Sequence, residues 1–107
     1  MKLSMSKRDE RLFITDIKES VDAIFEYVEG MNLDEFIADQ KTYSAVIREF
    51  EIIGEASKHL PNELLEKYHD VEWRDIKDFE IVWNAVHEDL PKLKVVIETI
   101  LKEFIND

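Results

Sequence analysis

The sequence predicts an all-α fold, an antiparallel helical bundle, on three observations. Apolar residues recur at three- and four-residue intervals through most of the chain. Its 107 residues include only two glycines and two prolines, too few turn residues for a barrel of many strands. Hydrophobic residues make up 45% and aromatic residues 10%, which excludes a disordered chain. This length is that of one domain, residues 1–107.

The elements follow in order. Within Arg8–Glu29, Phe13, Ile17, Val21, Ile24 and Val28 are spaced four, four, three and four, one face of a helix. Leu12, Ile14, Phe25 and Tyr27 widen that face, so the helix should touch two neighbours, or one neighbour and a second subunit. Ser6 is the expected N-cap and Gly30 the C-terminal stop. A short helix starting at Asn32 or Asp34 carries Leu33, Phe36 and Ile37. A longer one, from about Lys41 to Leu60, aligns Tyr43, Val46, Ile47, Phe50, Ile53 and Leu60, with Ser57 and Gly54 on the same side. A mid-helix glycine costs about 1 kcal/mol relative to alanine, so Gly54 is read as a point of close helix approach. Pro61 ends this helix and opens the next, Asn62–His69. Trp73 is expected in the core of the less regular Val71–Phe79 stretch. From Glu80 onward Trp83, Val86, Leu90, Leu93, Ile97, Ile100 and Phe104 form a seam alternating three and four. Pro91 should split it into a short helix ending near Glu88 and a new one capped by Asp89.

Composition narrows the function classes. Twenty-five acidic residues against 14 basic ones leave a net charge of −11, which opposes general nucleic-acid binding. Without cysteine there is no disulfide and no thiolate metal site. Met1–Arg11 has no apolar run of a signal peptide, and no stretch nears the roughly 18 apolar residues of a membrane helix. A cytoplasmic protein without membrane contact is therefore expected.

Glu66 and His69 make a Glu-x-x-His pair, half the ligand set of a di-iron bundle. The second pair is missing, because Ala56 and Asn84 stand three residues before His59 and His87. No metal site or cofactor is expected. The serines lack a nucleophile-elbow context, and no glycine loop could cradle phosphate. One charged group departs from a solvated helix face: Glu49, Glu51 and Glu55 beside Gly54 and Arg48. Glu51 and Glu55 share a face at i, i+4 and repel unless a cation lies opposite. Arg74 is the candidate cation. The group is either a structural ion pair or a cleft lined by Arg48, Glu51, Glu55 and Arg74.

Ala45-Val46-Ile47-Arg48-Glu49-Phe50-Glu51-Ile52-Ile53-Gly54-Glu55-Ala56 resembles the signature helix of the HepT-like proteins, a branch of the HEPN superfamily. Asp16-Ile17 through Tyr27 to Gly30 is similar to their first helix, and Val71-Glu72-Trp73-Arg74-Asp75-Ile76 to their "PWRDI" segment. Ile81-Val82-Trp83 through Glu88-Asp89-Leu90-Pro91 to Leu93 resembles the start of their last helical region. The resemblance implies a HEPN-like all-α bundle that forms a homodimer. It implies the toxin of a two-gene toxin–antitoxin system: a metal-independent endoribonuclease, neutralised by a partner nucleotidyltransferase encoded beside it. In the family an R-x(4–6)-H-x-Y motif at the dimer cleft acts on the RNA phosphodiester, and the partner transfers AMP to the motif tyrosine.

That motif is absent from this sequence. It should follow Trp73-Arg74-Asp75-Ile76 and precede Ile81-Val82-Trp83, but Lys77, Asp78 and Phe79 run directly into Glu80. None of Arg8, Arg11, Arg48 and Arg74 has a histidine five to seven residues on, and neither His69 nor His87 is followed two residues later by tyrosine. The catalytic segment is expected between Phe79 and Glu80, and no residue present is assigned a catalytic role. Two explanations compete: a deletion, or a mobile loop omitted there with the numbering closed up. Two functions compete as well. One is the HepT-like ribonuclease toxin, inactive as this 107-residue chain. The other is a non-catalytic dimeric module that binds a protein partner. RNA is a substrate only with the missing segment in place; its binding would need a local basic patch, with Arg48, Lys58 and Arg74 as contributors in a dimer.

Overall fold

The computed structural model describes residues 7–60 and 63–106. Helix α1 runs Lys7–Val28 and buries Ile14, Ile17, Val21, Ile24 and Val28. Its expected cap, Ser6, lies outside the described residues. Past its end Gly30 takes φ +77°, the left-handed conformation that only glycine adopts readily. Helix α2, Leu33–Ala38, opens on a capping box: Asn32 Oδ1 accepts from the Glu35 N–H at 2.8 Å, and Glu35 Oε1 accepts from the Asn32 N–H at 3.1 Å.

Helix α3, Gln40–Ser57, is capped by Asp39, whose Oδ1 accepts from the Thr42 N–H at 3.1 Å. It lies antiparallel on α1. Phe13 stacks on His59 at 4.2 Å near one end, and the Tyr27 hydroxyl donates to Glu49 at 3.2 Å further along. Helix α6, Leu90–Asn106, packs on the other side of α1, where Lys94 lies 3.3 Å from Asp22. Two neighbours of the same chain thus cover most of the apolar arc of α1, while Leu12 stays 57% and Tyr27 40% exposed.

Gly54 does mark a close approach, but to backbone beyond a helix end rather than to a helix flank. Helix α4 is one turn, Glu63–Glu66, shorter than the expected Asn62–His69. The expected role of Pro61 and Asn62 in opening it lies outside the described residues. Turns after α4 bring the Tyr68 carbonyl to Gly54, so close that a methyl group at position 54 would stand 2.7 Å from that oxygen. Residues Trp73–Asp75 form a single 3₁₀ turn pinned onto α3. Trp73, buried as expected, stacks on Phe50 at 4.2 Å, and the Tyr43 hydroxyl donates to the Ile76 carbonyl at 2.9 Å.

The break expected at Pro91 does not occur. Helix α5, Phe79–Asn84, continues through a π-helical turn, Ala85–Asp89, directly into α6. Proline lacks an N–H, and its ring crowds the carbonyl four residues back. The wider π turn, in which the Leu90 N–H bonds the Ala85 carbonyl, absorbs that conflict without ending the helix. Phe79 and Glu80 are consecutive residues of the full sequence and open α5, with Asp78 Oδ1 accepting from the Glu80 N–H at 3.0 Å. Among the described residues no helix is long and apolar enough to cross a membrane.

Candidate functional site

The pinning of Trp73–Asp75 over α3 leaves a cleft between them of about 390 Å³. From α3 come Tyr43, Ser44, Ile47, Arg48 and Glu51, one side of the helix at four- and three-residue steps, and from across come the atoms of Arg74. Arg74 Nε donates to Glu51 at 3.0 Å. The Arg74 side chain is 76% exposed and that of Glu51 35% exposed, so the pair contributes at most about 1 kcal/mol to stability. Its value lies in orientation. Glu51 holds the guanidinium by Nε, and the terminal Nη groups have no partner among the described residues. Arg48 likewise forms no hydrogen bond or ion pair among the described residues.

Arg48, Glu51 and Arg74 are therefore brought together, and Glu55 is not. Glu55 turns to Lys58 at 3.8 Å, and Lys58 also lies 3.8 Å from Asp70, away from the cleft. Glu49 takes the Tyr27 hydroxyl, whose pKa its negative charge pushes up. Tyr43 and Ile47 were expected only as apolar positions of this helix, and neither they nor Ser44 were assigned to the cleft. The signal that could have found them is their spacing, since Tyr43, Ile47 and Glu51 repeat every four residues and Ser44 lies one turn before Arg48.

No histidine reaches the cleft. His59 stacks on Phe13, and His87 packs against Trp83 with Nδ1 2.9 Å from the Trp83 carbonyl. His69 Nε2 is buried without a hydrogen-bond partner among the described residues. Among the described residues no three His, Asp or Glu side chains converge as metal ligands. The cleft can hold an anion on its guanidinium groups, and it has no imidazole to move a proton there.

The family model described as ribonuclease HepT-like matches residues 17–100. The chain belongs to the ribonuclease HepT-like family. It is 37% identical to a candidate RNase of Methanocaldococcus jannaschii, over 92% of this chain and 93% of that protein. A second candidate RNase of that organism is 36% identical, over 90% of this chain and 100% of the relative. A protein of Thermococcus cleftensis named "Probable ribonuclease HepT" is 34% identical, over 90% and 99%. No solved structure matches the chain.

These HepT-like relatives also carry residues that this chain lacks. The first alignment spans 112 positions, more than the 107 residues of the whole chain. It takes in 92% of them, about 98, which leaves about 14 positions opposite a gap in this chain. The Thermococcus alignment spans 109 positions and takes in 90%, about 96 residues, leaving about 13.

Proposed function

We propose that this HepT-like chain is the toxin-side component of a two-gene toxin–antitoxin system, and that it has lost the segment which cleaves RNA. It then acts through protein contacts, as a cytoplasmic homodimer engaging the nucleotidyltransferase antitoxin encoded beside it. The observation that carries this reading is the missing Arg/His motif. In that motif a histidine supplies general acid/base chemistry to the ribose 2′-hydroxyl, and an arginine offsets the charge developing on phosphorus. Here neither is present in the motif's spacing, and all three histidines are placed outside the cleft. No metal or cofactor enters this chemistry.

The gap of about 13 positions supports an internal deletion. Helix geometry favours a joint slightly upstream of Phe79–Glu80. Insertion there would split the first turn of α5, whereas the irregular residues before Asp78 admit a segment and keep Asp78 as the cap. Beside this joint Ile37 is 43%, Phe79 37% and Ile81 53% exposed, apolar surface suited to a protein neighbour.

The test is to purify the chain alone and together with the nucleotidyltransferase encoded next to it, then assay both on RNA. We expect a stable complex with the nucleotidyltransferase and no cleavage by either preparation. Cleavage that copurifies with the chain, whether or not it persists when Arg74 and His87 are both replaced by alanine, would overturn the loss of catalysis. Failure to form the complex would overturn the antitoxin partnership.

A further inference from the structure

We infer that residues 63–76 form a strap that opens as a unit while the bundle of α1, α3, α5 and α6 stays folded. The backbone hydrogen bonds of the strap close turns within it. The Tyr68 and His69 N–H groups donate to the Leu65 and Glu66 carbonyls at 3.0 and 3.1 Å. Those of Asp75 and Ile76 donate to the Glu72 and Trp73 carbonyls at 2.9 and 3.2 Å. Leu65, Tyr68 and Trp73 seat the strap, and all three are buried. Two of them carry polar atoms that this burial strands. The Tyr68 hydroxyl and Trp73 Nε1, together with His69 Nε2, are buried without a hydrogen-bond partner among the described residues. The other such atom there, Asp22 Oδ1 on α1, lies 3.3 Å from the Lys94 ammonium. Among the described residues, every buried side-chain polar atom that lacks both a hydrogen bond and an ion pair is therefore on the strap.

Burying a donor or acceptor unpaired costs free energy comparable to what burying the surrounding carbon gains, so the strap is seated with little margin. Opening lets water satisfy all three atoms at once. Burial, with the Asp89 charge second, pushes the pKa of the Tyr68 phenol up, the mark of a dry site. The ties to the bundle are peripheral. Lys67–Asp89 at 3.4 Å and Arg74–Glu51 at 3.0 Å are surface ion pairs, which contribute little. The Tyr43 hydroxyl, 2.9 Å from the Ile76 carbonyl, holds one end. The bundle itself is closed by fully buried apolar side chains that need no polar partner, among them Ile17, Val21, Val86 and Ile97. Opening uncovers Phe50, on which Trp73 stacks, and the Gly54 flank of α3, which the Tyr68 carbonyl covers. Arg74 travels with the strap, so the wall of the cleft opposite α3 exists only in the closed state.

The experiment is native-state amide hydrogen exchange on the purified 107-residue chain, in water and in urea below the unfolding midpoint. The Tyr68, His69, Asp75 and Ile76 amides report on the strap, and the helical Val21, Phe50 and Ile97 amides on the bundle. The strap amides should be protected relative to free peptide, about a hundredfold less than the bundle amides and with a weaker urea dependence. Ile97→Val weakens the bundle equally with the strap closed or open. It should speed the bundle amides by roughly fivefold and leave the strap amides unchanged. Tyr68→Phe removes one stranded hydroxyl and should slow the strap amides by about tenfold. Four results would each overturn the inference: one rate and one urea dependence for strap and bundle, strap amides as fast as free peptide, equal acceleration of both sets in Ile97→Val, or no slowing in Tyr68→Phe.

Discussion

At position 54 a methyl group would meet the Tyr68 carbonyl oxygen at 2.7 Å, and a backbone oxygen cannot swing aside as a side-chain tip can. Alanine improves helix propensity there, but the overlap outweighs it. We expect Gly54→Ala to cost about 1–3 kcal/mol, read as a fall of about 4–8 °C in Tm per kcal/mol. Asp39 gives a pH signature. The Thr42 backbone N–H, with its hydroxyl second, holds the Asp39 carboxyl below its ordinary 3.8. Because the folded value is depressed, this cap's contribution is present above about pH 4 and is lost as pH falls through the folded value. The Tm difference between the native chain and Asp39→Ala should therefore be steady at neutral pH and close on acidification. At this scale the sequence was partly legible. Gly54 announced a close approach because nothing else justifies a mid-helix glycine. Its partner, backbone about fourteen residues ahead, lay beyond any local spacing rule. Glu51 and Glu55 looked equivalent at i, i+4, and only the position of Arg74 separates them.

Among the elements, the long helices were readable because each repeats its apolar residues over several turns. The short ones were less so. Residues 63–75 make one turn of α-helix, two hydrogen-bonded turns and one 3₁₀ turn, and a single turn holds too few residues to show a period. The Pro91 expectation failed for a different reason. A proline breaks an ideal α-helix, but packing along this stretch keeps the chain helical: Val82 before the π turn, Val86 within it and Leu90, Leu93 and Ile97 after it are fully buried. Trp73 does more for the cleft than its three-residue turn suggests. Its stack on Phe50 holds Arg74 opposite α3. We expect Trp73→Ala to cost about 3–5 kcal/mol in urea unfolding, and to abolish the Arg74–Glu51 pairing even where the fold survives.

For the whole molecule, a net charge of −11 argues against a general nucleic-acid surface. It is compatible with one confined recess carrying unpaired arginines. The family was legible because its motifs fall on the core-forming helix α3 and on the pinned Trp73 turn, where packing restricts substitution. The proposed loss of catalysis was legible only as an absence between segments that otherwise run in family order. Its most direct test is RNA cleavage by two purified proteins. One is the 107-residue chain; the other is the same chain with the motif-bearing segment of a HepT-like relative grafted between Lys77 and Asp78. The account predicts no cleavage by the first, and cleavage by the second that disappears when the grafted histidine is replaced by alanine. Cleavage by the ungrafted chain at the rate of the grafted one would contradict it.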